Sequence, residues 1–385
     1  MIYSVAFVGS ASDIDAALWE ACFPPPLEGR WWYETLERSK LEDQFTFLYA
    51  VISRDGTAVG IAPAFVMRFP VSLVAPDALK PLLPLIGPLA HPKTLFVGSP
   101  CADEGTIGLL PDTDRAAALS ALQEAAVAKA RELDAPLLVW KDMPSEVPQP
   151  AGTFRVESFP GTIVDLGADR AAYLAGLKGS RRHNVLKKIK RSAAHFSARV
   201  EVIAKPAPRV LDEIFPLFMQ TYERASTSFE RLGREFFAQI AQVPCARFIT
   251  VREEKSSAMV AFMLCFELAP KLINKFVGMD YRRPGEWQLH FRLWDGVVDY
   301  ALSRGLTSIQ SGQTGYAVKI ETGHRLVPLV NFCRHRNRLV HALAARAARG
   351  IDWASLDDDL ARYVRAHPHS EAEAGARAKQ RRDAK

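Results

Sequence analysis

Twice along these 385 residues the apolar pattern runs in one order: a hairpin, a strand, a long helix and a further strand. In the first half, Phe45–Arg54 and Thr57–Arg68 alternate as strands about Asp55-Gly56, residues suited to the left-handed backbone of a tight hairpin turn. Leu95–Val97 is the next strand, Arg115–Leu133 an amphipathic helix and Pro136–Trp140 a buried strand. In the second half, Ala246–Val251 and Ser257–Phe266 form the hairpin, Lys271–Gly278 the strand, Trp287–Arg304 the helix and Thr307–Gln310 the last strand. Helices precede each hairpin: Asp13–Phe23 and Trp31–Leu41 in the first half, Ala207–Arg224 and Arg234–Gln242 in the second. Two more helices, Asp169–Leu177 and the basic Ser180–Phe196, and a strand, Arg199–Ile203, open the second half. This rhythm predicts an α/β chain of mixed sheets and helices, built as two tandem related units. Pro144, Pro148 and Pro150 mark the crossover, so the units span 1–160 and 161–345. A basic helical or disordered tail, 346–385, follows, with Ser370–Lys385 as its disordered part.

Hydrophobic residues make up 48% and charged residues 24%, enough apolar surface for two cores. The net charge of +6 is concentrated in Arg181–Arg199, Arg325–Arg349 and Arg377–Lys385, which favours an anionic partner. None of the five cysteines sits at metal-ligand or redox spacing, so a reduced compartment without a disulfide framework or metal site is expected. Met1–Ser10 lacks a basic start and is followed by Asp13 and Asp15, unlike a signal peptide. The most apolar stretch, Leu79–Leu95, is broken by Pro81, Pro84, Pro88 and Pro92. No transmembrane segment and a cytoplasmic location are the expectations.

The chemistry concentrates late. After Thr307–Gln310 come the loop Ser311–Gly315, then Tyr316-Ala317-Val318-Lys319-Ile320-Glu321-Thr322-Gly323-His324-Arg325, then a strand, Leu326–Phe332. Cationic side chains between two strands, beside glycines that let backbone amides come close, suit an oxyanion or phosphate. Upstream, Arg181, Asn184, Lys188 and Arg191 share one helix face while Val185, Ile189 and Phe196 share another.

The segment Leu177–Arg191 resembles the basic helix that opens the second unit of FemABX-like proteins. Tyr316–Gly323 is similar to that family's lysine-bearing segment after the last helix, with Val318 where an aromatic is usual. The resemblance to the FemABX-like branch of GNAT-fold acyltransferases, and to bacterial peptidoglycan biosynthesis or recognition proteins, implies two GNAT-like units side by side. It implies amide formation from an aminoacyl-tRNA, with an amine of a cell-wall precursor or small metabolite as acceptor and no separate cofactor. On that reading Lys319 steadies the oxyanion from a strand edge, and His335 is a candidate base. Tyr316, Arg325, Arg181, Asn184, Lys188 and Arg191 are candidates for holding substrate or phosphate.

Arg282-Arg283-Pro284-Gly285-Glu286-Trp287 lies where GNAT enzymes receive the coenzyme A diphosphate. Arg282 and Gly285 fit, whereas Trp287 replaces a small residue, which favours a donor other than acyl-CoA. An acyl-CoA-dependent N-acyltransferase and a non-catalytic peptidoglycan-recognition protein remain the alternatives. Trp31-Trp32-Tyr33 suits either stacking on a base or packing between units.

Overall fold

The structure, a computed structural model, describes residues 1–70, 87, 90–225 and 230–367. The proline-rich stretch is therefore described only in part, and Ser370–Lys385 lies outside the described residues.

The repeat extends further than the hairpins. The first unit runs β1 (Tyr3–Val8), α1 (Ala16–Cys22), α2 (Arg30–Glu37), β2 (Thr46–Arg54), β3 (Thr57–Arg68), β4 (Lys93–Val97), β5 (Gly108–Leu109), α3 (Arg115–Glu132) and β6 (Leu137–Pro144). Linking elements follow: β7 (Phe154–Glu157), β8 (Gly161–Asp165), α4 (Arg170–Gly176) and α5 (Gly179–His195). The second unit then repeats the order with β9 (Ala198–Ile203), α6 (Pro208–Arg224), α7 (Arg234–Ile240), β10 (Ala246–Glu253), β11 (Met259–Leu268), β12 (Lys271–Met279), α8 (Leu289–Ser303) and β13 (Ser308–Gln310). The chain closes with α9 (Tyr316–Glu321), β14 (Arg325–Val327), β15 (Leu329–His335), α10 (Arg338–Ala348), α11 (Trp353–Leu356) and α12 (Asp358–Ala366).

In each unit three antiparallel pairings lead to one parallel pair bridged by the long helix, β4 with β6 and β12 with β13. The sheets order as β1-β2-β3-β4-β6-β15-β7 and β14-β8-β13-β12-β11-β10-β9, with β5 alongside β3. The strand expected over Leu326–Phe332 is instead two strands in different sheets. Proline has no N–H to continue a ladder, and Pro328 falls at the break. β14 pairs with β8, while β15 inserts between β6 and β7 of the first sheet. The second correction concerns Lys319, expected at a strand edge. Gly315 takes φ +62 and starts a helical turn, so Lys319 rides on α9.

Trp31 and Trp32 resolve as packing between the units. Trp32 is fully buried, 6.0 Å from Phe236 and 5.5 Å from Phe266, and Trp31 lies 5.0 Å from Phe266. One core therefore joins α1 and α2 to α6, α7 and β11. Separate cores seat α3 on the first sheet and α4, α5 and α8 on the second.

Candidate active site

Parallel strands joined by a helix part company where their pairing stops. The β12–β13 ladder ends at Ile273 and Gln310, and the β4–β6 ladder at Val97 and Trp140. Beyond those points lie Asn274 and Lys275 with Ser311 and Gly312 in one unit, and Gly98–Gly105 with Lys141 and Asp142 in the other. The two openings meet. Asp103 reaches across from the first unit to Lys275, 3.5 Å away, and lies against Gly312 so closely that a Cβ there would come within 2.5 Å of its Oδ1. Lys275, whose side chain is 1% exposed, donates to Glu28 at 2.8 Å and sits 4.9 Å from the Trp32 ring.

Burial governs the electrostatics of this seam. It pushes the Asp103 and Glu104 carboxyls upward, and it raises Glu230 to about 7 despite Lys141 and Lys275 nearby. Lys275 is raised too: burial works against its charge, but the carboxylates of Asp103 and Glu28 outweigh that cost. Asp142 accepts from the Ser158 hydroxyl and pairs with Lys141, and its backbone N–H donates to Asn331 Oδ1 at 2.8 Å. Asn331 belongs to β15, so the strand exchange helps shape the first unit's opening.

Lys319 enters from the second unit. Its Nζ donates to the carbonyls of Gly312 at 3.2 Å and Gln313 at 3.0 Å, and burial lowers it to about 8, opposed by Asp103. His324 braces that turn: its Nδ1 lies 3.0 Å from the Lys319 carbonyl and its Nε2 2.9 Å from Ser311 Oγ. A carbonyl can only accept, so Nδ1 carries the proton and Nε2 accepts from the serine hydroxyl. Burial holds His324 near 3, a neutral ring at physiological pH. His290, in the first turn of α8, is lowered to about 4 by burial and by Lys319, and its Nδ1 has no hydrogen-bond partner among the described residues.

The remaining sequence candidates fall in several places. Lys188 grips Glu321 at 2.6 Å and 2.7 Å and lies over the Phe291 ring, so it ties α5 to the Lys319 helix. Asn184 and Arg191 are exposed on α5 and Arg181 is half-buried, with Arg191 3.4 Å from Glu286. Arg282, largely exposed, is engaged by Asp280 at 2.7 Å, and Gly285 opens a single 3-10 turn before α8. The Trp287 ring stacks on Phe196 at 4.3 Å, packing this turn onto α5.

Tyr316 is fully buried and donates to the Pro160 carbonyl at 2.9 Å, a structural contact that anchors α9. Arg325 is exposed on β14, 3.9 Å from Asp165. His335 is not brought to the seam. It pairs with Leu137 at the start of β6, whereas the opening lies at the other end of that strand, where Leu329 pairs with Pro144.

Sequence reasoning missed Glu28, Asp103, Glu230 and Lys275. Lys275 carried one visible signal, a lysine within the mostly apolar stretch Leu272–Met279.

Residues 167–346 match the FemAB-like family model, described as peptidoglycan biosynthesis/recognition. The crystal structure of FemX is similar, with TM-score 0.55 at 12% identity, covering 88% of this chain and 100% of that one. The matched segment, in the later part of the chain, is similar to the FemAB-like family. L-PGS from Bacillus licheniformis is also similar, with TM-score 0.51 at 12% identity, covering 82% of this chain and 96% of that one. So is a conserved protein of unknown function from Bacteroides thetaiotaomicron, with TM-score 0.51 at 12% identity, covering 86% of this chain and 98% of that one. At such identity these likenesses show the fold alone. No curated protein matches the sequence. Among the described residues no helix is long and apolar enough to cross a membrane, and no group of three or more potential ligands gathers for a metal.

Proposed function

We propose that this FemABX-like chain is an acyltransferase that forms an amide at the seam between its units. The observation that carries this reading is Lys319, a half-buried lysine whose ammonium is tied to the Gly312 and Gln313 carbonyls at the opening beyond β13, within the electrostatic reach of Asp103. An aminoacyl ester laid there puts its carbonyl oxygen within reach of that charge. The acceptor amine attacks, the tetrahedral oxyanion forms beside Lys319, and the ester C–O bond breaks as the amide C–N bond is completed. The proton leaving the amine passes to the departing hydroxyl, and Glu230, poised near neutrality beside Lys141 and Lys275, is the group suited to relay it.

The donor we favour is an aminoacyl-tRNA, and the acceptor an amine of a cell-wall precursor or small metabolite. The outer side of α5, with Arg182, Lys187, Lys190 and Arg191, offers a basic track for phosphates next to the turn that precedes α8, with Arg181 half-buried at its start. Acyl-CoA is the second reading, favoured by the helix N-terminus behind Gly285. Against it, both Arg282 and Arg283 are held by Asp280, and Trp287 is spent on packing. The test is mass spectrometry of products after incubation with lysate metabolites, ATP, amino acids and total tRNA. The expected product is a metabolite heavier by one aminoacyl group, lost after ribonuclease treatment. A product that survives ribonuclease and requires coenzyme A would overturn the tRNA reading in favour of the second one.

A further inference from the structure

Between Glu321 and Asp352 the chain carries six arginines and three histidines and not one acidic residue. Within that stretch α10 turns an apolar side outward: Leu339 is 75% exposed, Leu343 70% and Val340 45%. Leu339 and Leu343 stand one helical turn apart, with Ala347 a turn further on, while Arg338, Arg346 and Arg349 are exposed around them. The opposite side of the helix is occupied, with Ala348 buried and His341 5.1 Å from the Phe154 ring of β7. The outward apolar side therefore has no partner among the described residues.

A second feature lies where β15 leads into this helix. A cleft of about 60 Å³ is lined by Arg131, Arg334 and Arg336 together with Val127, Ala130 and Leu138. Its acid neighbour is Asp134, which pairs with Arg336 at 2.6 Å on the surface, a contact that water and salt weaken. Arg334 lies against Gly152, where an added Cβ would come within 2.6 Å of its guanidinium. Leucines that slip among acyl chains, ringed by arginines and next to a guanidinium-lined notch, describe a lipid-facing surface.

We infer that α10 and the adjoining arginine cleft dock this protein on an anionic phospholipid surface. Charge selects the occupant. A second copy of this chain would oppose arginine to arginine, whereas phosphatidylglycerol headgroups supply the missing anions. Docking here also touches the proposed active site indirectly, because the chain runs from α10 through α11 to α12, whose Asp359 accepts from the Ala317 N–H of the Lys319 helix.

Sedimentation of the full chain with vesicles tests this. Vesicles of phosphatidylcholine plus phosphatidylglycerol are expected to carry it down, vesicles of phosphatidylcholine alone are not, and added salt should release it. The double substitution Leu339→Ser/Leu343→Ser, on exposed positions, is expected to weaken binding by roughly tenfold or more with an unchanged circular dichroism spectrum. Arg131→Ala/Arg334→Ala should weaken it without touching the apolar side. The inference is overturned by absence of vesicle binding, by equal binding to neutral vesicles, or by full binding of both variants. Self-association that the leucine substitutions abolish, without vesicle binding, overturns it as well.

Discussion

Replacing Lys275 by methionine keeps the volume of the side chain and removes one buried charge. The Lys275 side chain is 1% exposed, 2.8 Å from Glu28 and 3.5 Å from Asp103, so the variant removes the cation that pairs with both carboxylates. Breaking a buried pair by deleting one partner costs about 3–5 kcal/mol, and the methionine's own apolar burial offsets only part of that. The structure also fixes the pH dependence. Lys275 has a raised folded-state value, so its contribution is complete below the ordinary lysine range and is lost only as the pH climbs through the folded value. Asp103 is raised as well, and without Lys275 it rises further, so protonation at low pH relieves the variant. Urea unfolding at neutral pH should therefore show a loss of about 3 kcal/mol or more, shrinking as the pH is lowered through the carboxylate range. A deficit below about 1 kcal/mol at pH 7, or one that grows in acid, would refute the claim that Lys275 neutralises a buried inter-unit pair.

Trp32→Ala empties a fully buried site between α2, α7 and β11, and should cost about 3–5 kcal/mol in chemical denaturation. His335→Ala should leave transfer within about twofold of wild type, since the histidine lies at the far end of β15 from the seam. Glu230→Gln should flatten the acid side of the pH–rate profile near 7, where the wild-type carboxyl changes state.

Much of the fold was legible because its signals are local. Asp55-Gly56 set one hairpin, and the periods of Arg115–Glu132 and Leu289–Ser303 set the two long helices. The exchange of β15 into the first sheet was not legible, because the partner of Leu329–His335 lies about 190 residues upstream on β6. Nor was β1, since Tyr3–Val8 is an edge strand whose half-buried alternation is easily read as an apolar N-terminus. At the seam Lys319 was legible through a motif, though its helix was not, because the αL turn at Gly315 decides it. Glu28, Asp103, Glu230 and Lys275 come from four distant places in the chain. Each alone reads as an ordinary charged residue until the fold buries them together.

The chemistry assigned to Lys319 is open to direct measurement through the transfer rate of Lys319→Met against pH. In the wild type, transfer should decline as the pH passes about 8, where the ammonium loses its proton. The variant should be slower by roughly 10²–10³-fold and lose that decline. Its thermal stability should hold, because a buried charge is removed along with two carbonyl contacts. Transfer by the methionine variant at close to the wild-type rate, with the same decline above pH 8, would contradict an oxyanion steadied by this side chain.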